Sequence, residues 1–223
     1  MPSFDLLTFD CYGTLVDWDA GIGAAFVETA AAQGVELDRE AVLAAYARAE
    51  RAVQAGPFRA YRDVLAATAF EVARQLGWNL DATDAGFLAR SLPSWPVFVD
   101  TNPALERLVS LGASLGILSN VDDDLLAGTR RHLSVDFDLV VTAQQVRSYK
   151  PARGHFDRAR SLVGDRRWLH VAQSYFHDIE PAVALGIPVV WVNRKGEKPS
   201  GTARPTAEVR DLTELVQWLT PDT

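Results

Sequence analysis

The chain contains almost no cysteine. Among its 223 residues only Cys11 is present, so an internal disulfide and a cysteine-based zinc site are both excluded. It also lacks an apolar run near the ~18 residues that a membrane-spanning helix needs. Positive charge is scarce as well, because 22 basic residues against 29 acidic ones give a net charge of −7. This balance argues against a nucleic-acid partner and against an anionic membrane surface.

One further signal is missing. Residues 1–5 lack a basic segment with an apolar one behind it, so the expectation is a soluble, cytoplasmic protein. Cys11 follows an aspartate rather than a basic group, so it is not expected to be a catalytic thiol. An acidic protein that binds a small anion then needs local basic groups at its site.

The most informative segment is the run Phe-Asp-Cys-Tyr-Gly-Thr-Leu at 9–15. The residues 4–9 are rich in apolar and β-favouring side chains and predict a short strand. Gly13 then permits a tight turn that directs Asp10 and Thr14 toward one point. Asp10 is accordingly the candidate nucleophile, although an aspartate in such a place also commonly caps a helix or opens a turn.

Three more polar segments follow later in the chain. Ser119 and Asn120 come at the end of an apolar run, Lys150 stands just before a helix start, and Asp178 closes a segment that begins with Gln173. Taken singly, each has an ordinary structural interpretation. The Ser-Asn pair fits a turn, Lys150 a solvated loop cation, and Asp178 a helix cap or first-turn acid. Side chains that follow parallel strands meet at one sheet edge, which favours a shared site.

The order Asp, Ser, Lys, Asp resembles the four motifs of the haloacid dehalogenase superfamily. The sequence around Asp10 is similar to its 2-haloacid dehalogenase branch, and the resemblance spans nearly the whole chain. It implies a three-layer α/β fold with a Rossmann-like parallel sheet core at 1–16 and 97–223 and an α-helical cap inserted at 17–96. Strand-like runs that alternate with helical stretches favour the same fold class.

Individual elements follow from the apolar patterns. The segments expected to form the later strands are 114–119, 137–142, 168–172 and 187–192. An amphipathic spacing over 38–54 predicts a helix of the cap. Residues 194–205 are rich in Lys, Gly, Ser and Pro and predict a mobile surface loop.

The resemblance assigns a role to each residue of the four motifs. Asp10 would displace a halide from carbon and form an aspartyl ester. Lys150 would keep Asp10 ionised against the effect of burial. Thr14 and Ser119 would donate hydrogen bonds to carboxylate oxygens. Asp178 would orient Lys150 or the water that cleaves the ester.

The substrate and halide side of the site is assigned through the same resemblance. The family places an arginine of the cap over the halide. That position falls on Ala45 here, and two nearby arginines are the candidate substitutes. The residues expected on this side are Tyr12, Asn120, Ser174, Tyr175, Arg48 and Arg51. Tyr175 is bulkier than the family's asparagine and is expected to reshape the pocket.

Two side chains separate the activities of this superfamily. Its phosphatases carry a second Asp two residues after the nucleophile, where this chain has Tyr12, a poor proton donor at neutrality. Their metal-binding Asp aligns with Gln173, although Mg²⁺ prefers carboxylates. The sequence therefore predicts metal-independent hydrolysis of short 2-haloalkanoic acids to 2-hydroxy acids, without a cofactor.

The partner expected from this interpretation is a small anionic substrate, with no nucleic acid and no membrane, and a homodimer is left open. Two alternatives remain at this point. One is a Mg²⁺-dependent phosphatase of a small phosphorylated metabolite, with Asp10 forming an aspartyl phosphate. The other is a non-catalytic protein of the same fold that binds a small ligand in the cap cleft.

Overall fold

A parallel sheet of six strands organises the larger part of the chain. The computed structural model describes residues 4–220, so residues 1–3 and 221–223, which the sequence assigns to the core, lie outside the described residues. The strands are β1 (Leu6–Phe9), β2 (Ser114–Ser119), β3 (Leu139–Thr142), β4 (Trp168–Ala172), β5 (Val189–Val192) and β6 (Ala207–Val209). Their spatial order is β3-β2-β1-β4-β5-β6, and every neighbouring pair is parallel. β1 therefore lies between β2 and β4 in the interior of the sheet.

Helices fill most of the remaining chain and cover both sides of the sheet. They are α1 (Trp18–Ala32), α2 (Arg39–Gln54), α3 (Tyr61–Gln75), α4 (Phe87–Ser91), α5 (Thr101–Ser110), α6 (Asp123–Thr129), α7 (Ala143–Val146), α8 (Gly154–Val163), α9 (Glu180–Ala184) and α10 (Leu212–Leu219). A π-helical turn, Tyr175–Ile179, precedes α9. Within the described residues, no helix has both the length and the hydrophobicity to cross a bilayer. The expected α/β class with a parallel sheet is confirmed.

The described chain divides into two compact units. The sheet unit contains residues 4–16, 97–120 and 132–220, and the helical unit contains residues 17–96 and 121–131. The segment 121–131 thus groups with the helices, although the predicted core of 97–223 includes it. One contact that holds this segment to the helices is made by Asp122, whose carboxylate accepts hydrogen bonds from the backbone N–H groups of Tyr61 and Arg62 at 2.8 and 3.0 Å. This carboxylate caps α3, which has no side-chain cap of its own.

The helical unit has its own apolar core. The ring of Phe26 on α1 packs edge-to-face against Tyr46, Trp78 and Phe87. Aromatic pairs in this geometry add stability beyond the apolar area that they bury. α2 begins where the sequence predicts, because the Asp38 side chain accepts the N–H of Ala41 at 2.8 Å.

The sheet is apolar along its central strands, as expected for strands covered on both faces. All residues of β1 and β4 are buried. β2 and β4 have the predicted bounds, and β3 and β5 begin two residues later than predicted, at Leu139 and Val189. β6 was not predicted. It has only three residues, it lies at the sheet edge, and its middle residue, Glu208, is exposed. Short edge strands of this kind carry too little apolar pattern to be recognised.

Candidate active site

Asp10 lies directly after β1, at the carboxyl edge of the sheet. Its backbone N–H donates to the carbonyl of Val171 at 3.0 Å. The chain then turns through Gly13, whose φ of 94° is a conformation that glycine adopts readily. This turn brings Thr14 back, so that Thr14 Oγ1 donates to Asp10 Oδ2 at 2.9 Å and accepts the N–H of Gln173 at 2.9 Å. The Asp10 carboxylate is thus oriented by its own turn.

Lys150 connects Asp10 to a second carboxylate. Its Nζ lies 2.9 Å from Asp10 Oδ1, 2.6 Å from Asp178 Oδ1 and 2.8 Å from the carbonyl oxygen of Leu118. An ammonium has three N–H donors, and all three are used here. The side chain is only 1% exposed. Lys150 therefore sits as a buried, fully hydrogen-bonded cation between two carboxylates.

The backbone of Lys150 is held by Asn120. Asn120 Oδ1 accepts the Lys150 N–H at 2.7 Å, and Asn120 Nδ2 donates to the Lys150 carbonyl at 3.1 Å. Asn120 comes directly after β2, so this pair of bonds ties the end of that strand to the segment before α8. The structure thus places Asn120 next to Lys150 with one of its two amide N–H groups still available. Its expected contact with halide stays a prediction.

Asp178 belongs to the π-helical turn after β4, a feature often found at functional sites. Its Oδ1 accepts from Lys150 and also from His170 Nε2, at 2.9 Å. Behind it, His170 Nδ1 lies 2.8 Å from Thr8 Oγ1, which in turn accepts from Trp168 Nε1 at 2.8 Å. Asp178 Oδ2 is buried and has no hydrogen-bond partner within the described residues. The hydrogen bonds through Asp178 Oδ1 hold Lys150, Asp178 and His170 in fixed positions.

The environment moves the pKa values of the two carboxylates in opposite directions. Burial raises the pKa of Asp10 above its usual value, with the charge of Lys150 acting against that rise. Burial also acts on Asp178, but Lys150 and the His170 hydrogen bond outweigh it and lower the pKa of Asp178 to about 2. The two carboxylates raise the pKa of Lys150 despite its burial, so Lys150 stays charged. Environments that separate two carboxylates in this way are typical of acid–base and nucleophilic sites.

Exposure distinguishes the same two carboxylates. The side chain of Asp10 is 10% exposed, whereas those of Lys150 and Asp178 are 1% exposed. Asp10 is also the more basic of the two carboxylates by its pKa. It is thus the member of this group that an incoming molecule can reach.

Ser119 ends β2, close to the same edge. Its Oγ is buried and has no hydrogen-bond partner in the described part of the chain. The Ser119 carbonyl accepts from His155 Nε2 at 3.0 Å, so the proton of this imidazole is on Nε2. Burial lowers the pKa of His155 to about 3, and its Nδ1 is a second buried atom without a partner in residues 4–220. Ser119 Oγ can therefore donate to a bound oxygen.

Two of the expected substrate-side residues serve the fold instead. Ser174 Oγ accepts the N–H of His177 at 3.2 Å and lies 2.9 Å from His177 Nδ1, so it caps the π-helical turn. The ring of Tyr175 packs edge-to-face on Trp191 in the sheet-unit core, and its hydroxyl donates to the carbonyl of Ala203. The structure does not bring Tyr175 to Asp10. The turn directs this side chain into the core, and the expectation that it shapes the pocket stays a prediction.

The remaining expected residues are Tyr12, Arg48 and Arg51. Tyr12 is half-buried and forms an isolated bridge with Val16. Arg48 and Arg51 lie on the exposed side of α2 in the helical unit, and Arg48 Nη2 donates to Gln75 Oε1 at 3.5 Å. Their role at the halide stays a prediction. Burial raises the pKa of the Cys11 thiol, so this side chain is not a reactive thiolate.

An arginine that the sequence interpretation missed supports the turn after β1. Arg194 donates to the carbonyl of Thr14 at 2.8 Å, and its guanidinium is held by both carboxylate oxygens of Asp100 at 3.0 and 3.1 Å. Asp100 Oδ2 also accepts the N–H of Leu212 at 2.7 Å. The pair therefore fixes the backbone of Thr14, the residue that orients Asp10. The sequence signal was an arginine two residues after an apolar strand.

A divalent metal does not fit this set of donors well. Mg²⁺ takes oxygen ligands in octahedral geometry, with carboxylates preferred. Oδ1 and Oδ2 of Asp10 are engaged by Lys150 and Thr14, and Tyr12 and Gln173 stand at the positions where the phosphatases carry further aspartates. In the described part of the chain, no group of three or more His, Cys, Asp or Glu side chains is arranged to hold a metal ion.

Comparison with known proteins now decides the family. A family model described as a haloacid dehalogenase-like hydrolase matches residues 4–186. The chain belongs to this hydrolase family. A solved L-2-haloacid dehalogenase from Xanthobacter autotrophicus has the same fold, with a TM-score of 0.82, 20% identity and coverage of 99% of this chain and 100% of that chain. The superfamily expected from the four motifs is thereby confirmed.

Curated relatives carry names from one branch of the family. An (S)-2-haloacid dehalogenase of Pseudomonas putida is 26% identical over 235 residues, which cover 98% of each chain. The (S)-2-haloacid dehalogenase H-109 of Pseudomonas putida is 31% identical over 150 residues, 66% of this chain and 67% of that protein. The family membership establishes a hydrolase, and the Asp10–Lys150–Asp178 group is the candidate for its reacting centre.

Proposed function

We propose that the protein hydrolyses short 2-haloalkanoic acids to 2-hydroxy acids, with Asp10 as the nucleophile. One observation carries the proposal: Lys150 Nζ bonds to both Asp10 and Asp178 in a buried site, and Asp10 alone of the three is accessible. The relatives named (S)-2-haloacid dehalogenase support the same substrate class and favour the (S) enantiomer.

The first step is a displacement at carbon. A carboxylate oxygen of Asp10 attacks the carbon that bears the halogen, a C–O bond forms, and the C–halogen bond breaks with its electron pair leaving on the halide. The halide needs no proton to depart, so the step does not require an acidic residue at position 12, where this chain has tyrosine. Attack from the side opposite the halogen inverts the configuration. The product of this step is an ester between Asp10 and the 2-hydroxy acid.

The second step restores Asp10. Water attacks the carboxyl carbon of Asp10, and the bond between that carbon and the oxygen of the hydroxy acid breaks. One proton of the water ends on the new hydroxyl group, and the other is released to solvent. Asp178 Oδ2, which is buried without a partner in the described chain, is a suitable acceptor for orienting this water. Asp10 then carries one oxygen atom from the water.

Binding of the substrate carboxylate needs donors near Asp10. Ser119 Oγ has no other partner among the described residues and is proposed for this role. Asn120 is proposed to offer its second amide N–H to the departing halide, and Arg48 and Arg51 are proposed as further positive charges. Such local donors offset the acidic character of a chain with a net charge of −7. We propose that the protein is cytoplasmic and that its substrate is a small anionic molecule.

The test is a halide-release panel. Purified protein is incubated in EDTA with chloro-, bromo- and fluoroacetate and with both enantiomers of 2-chloropropionate, and free halide and hydroxy acid are measured. The proposal expects halide release with EDTA present and (R)-lactate from (S)-2-chloropropionate. Asp10→Asn is the control, because its amide cannot form the ester.

Two outcomes would redirect the assignment. Mg²⁺-dependent phosphate release from p-nitrophenyl phosphate that is lost in Asp10→Asn, without halide release, would establish a phosphatase. Stabilisation of the protein by these acids in a thermal melt, without any product, would establish a binding protein.

A further inference from the structure

The buried group around Asp10 has more negative than positive charge. Two carboxylates, Asp10 and Asp178, share one cation, Lys150, which is fully buried and hydrogen-bonded to both. Buried charges are stable only when they are paired and their remaining positions are hydrogen-bonded. Each carboxylate therefore needs a donor besides the shared ammonium.

Each carboxylate has one such donor. Thr14 Oγ1 donates to Asp10, and His170 Nε2 lies 2.9 Å from Asp178 Oδ1. Asp178 is ionised, so it can only accept, and His170 must carry its proton on Nε2. His170 thus provides for Asp178 what Thr14 provides for Asp10.

The other side of the His170 ring is fixed by neighbouring strands. Thr8 and His170 are direct partners in the pairing of β1 with β4. Trp168 Nε1 can only donate, so Thr8 Oγ1 accepts from it and is left with its own proton to give to His170 Nδ1. The chain Trp168–Thr8–His170 thereby orients the ring with Nε2–H toward Asp178. All three side chains are buried.

We propose that His170 is a positioning residue for the reaction at Asp10: its Nε2–H holds Asp178, which holds Lys150 Nζ against the nucleophile. This role rests on the proposed function, and it adds a residue that none of the four motifs contains. His170 does not reach the reacting atoms. It acts through Asp178 and Lys150, which separate it from Asp10.

The proposal predicts a specific pH signature. The titratable groups that face Asp178 are Lys150, His170 and His155, with Asp10 beyond Lys150. Without the His170 donor, Asp178 takes up a proton more readily, because it loses a hydrogen bond that favours its charged form. Asp178 without this donor also holds Lys150 less firmly against Asp10, and the charge of Lys150 is what lowers the pKa of Asp10. The acid limb of the kcat profile should then lie at higher pH than in the wild type.

The kinetic experiment compares two substitutions at one position. His170→Phe removes the donor, and we expect kcat to fall roughly 10-fold to 100-fold, as for loss of a hydrogen bond to a charged group, with little change in KM. Its acid limb should move up by about one pH unit. His170→Gln places an amide N–H near the position of Nε2 and should restore most of kcat and the wild-type limb. A Gln variant no better than the Phe variant, in kcat and in pH profile, would overturn the proposal.

A matched pair of threonine variants tests the second link. Thr8→Val removes the hydroxyl that orients His170 and is expected to lower kcat several-fold, in the same direction as His170→Phe. Thr68→Val is the control, because Thr68 is equally buried and its hydroxyl has no partner in the described residues. Equal kcat for both variants would contradict the role of Thr8.

A measurement without substrate separates this inference from the proposed function. With ¹⁵N-labelled histidine, the wild-type NMR spectrum should show His170 as the Nε2–H tautomer, and Thr8→Val should alter that signal. The proposal fails if the wild-type ring carries its proton on Nδ1, whatever the enzyme does. Absence of halide release from the wild type, with the expected tautomer present, would instead reject the proposed function and leave the network intact.

Discussion

Lys150 and Asp178 form a buried ion pair, with Nζ 2.6 Å from Oδ1 and both side chains only 1% exposed. The pair joins the segment before α8 to the π-helical turn after β4, and it sets where Nζ meets Asp10. Removing one partner of such a pair leaves a buried charge uncompensated, which typically costs about 3–5 kcal/mol. Asp178 therefore helps to set the position of Lys150 Nζ at Asp10.

Replacing Lys150 by methionine tests whether its charge keeps Asp10 ionised. Burial already raises the pKa of Asp10, and Lys150 acts against that rise. Without the charge of Lys150, the pKa of Asp10 rises further. Asp10 is then protonated, and inactive as a nucleophile, at a higher pH than in the wild type. We expect kcat/KM near neutral pH to fall at least about tenfold, the effect of one pKa unit or more, and the acid limb to move upward.

The matched control for Lys150→Met is Lys198→Met. Lys198 is exposed, and its replacement by methionine changes the net charge by the same amount. It should keep the wild-type activity and pH profile. A Lys150→Met enzyme whose acid limb does not move, even at reduced kcat, would show that Lys150 acts by packing rather than by charge.

The arginines of α2 are expected to bind the anionic substrate or the departing halide. Arg48→Ala and Arg51→Ala should lower kcat/KM for 2-chloropropionate roughly 10-fold at whichever of the two positions bears this role, as for loss of a hydrogen bond to a charged partner. Arg74→Ala on α3 is the control, since Arg74 is also exposed and pairs with Glu71. If all three variants keep the wild-type kcat/KM, the halide contact lies elsewhere.

His155 makes the protein less stable in acid. Burial lowers the pKa of His155 from the ordinary histidine value of 6.5 to about 3 in the folded state, so the folded state resists its protonation. The stabilising effect of the neutral ring is complete above pH 6.5 and is lost as the pH falls from 6.5 toward 3. Over this window, the protonation of His155 should lower the free energy of unfolding by up to about 1.4 kcal/mol per pH unit.

His155→Gln removes that titration and can still donate to the Ser119 carbonyl. Its free energy of unfolding, measured with urea at several pH values between 7.5 and 4.5, should decrease less steeply than that of the wild type. His132→Gln, at an exposed position, should follow the wild-type slope. Identical slopes for His155→Gln and the wild type would mean that His155 is protonated without cost in the fold.

The sequence was informative about Asp10, Lys150 and Asp178 because each has a recognisable local context. Asp10 directly follows an apolar run, Lys150 stands just before a helix start, and Asp178 closes the polar segment behind another apolar run. Parallel strands bring such positions to one edge, so the pattern implies proximity. The structure indeed joins all three through Lys150 Nζ. Family membership followed from the same residues and is confirmed by the match over residues 4–186.

Other features depend on contacts that no local pattern records. Tyr175 follows the same apolar run as Asp178, yet the π-helical turn sends its ring onto Trp191. His170 lies within an apolar strand, and its polar character is explained only by its partners Thr8 and Asp178. A polar residue inside an otherwise apolar central strand is the signal that would have identified it.

The most direct test of the account is the fate of oxygen in a single turnover. Enzyme in excess over (S)-2-chloropropionate is allowed to react once in H₂¹⁸O, and the peptide that contains Asp10 and the lactate are both analysed by mass spectrometry. Because water attacks the carboxyl carbon of Asp10, the account predicts the heavy oxygen in the Asp10 side chain and ordinary oxygen in the lactate. Heavy oxygen in the lactate, with an unlabelled Asp10, would contradict it.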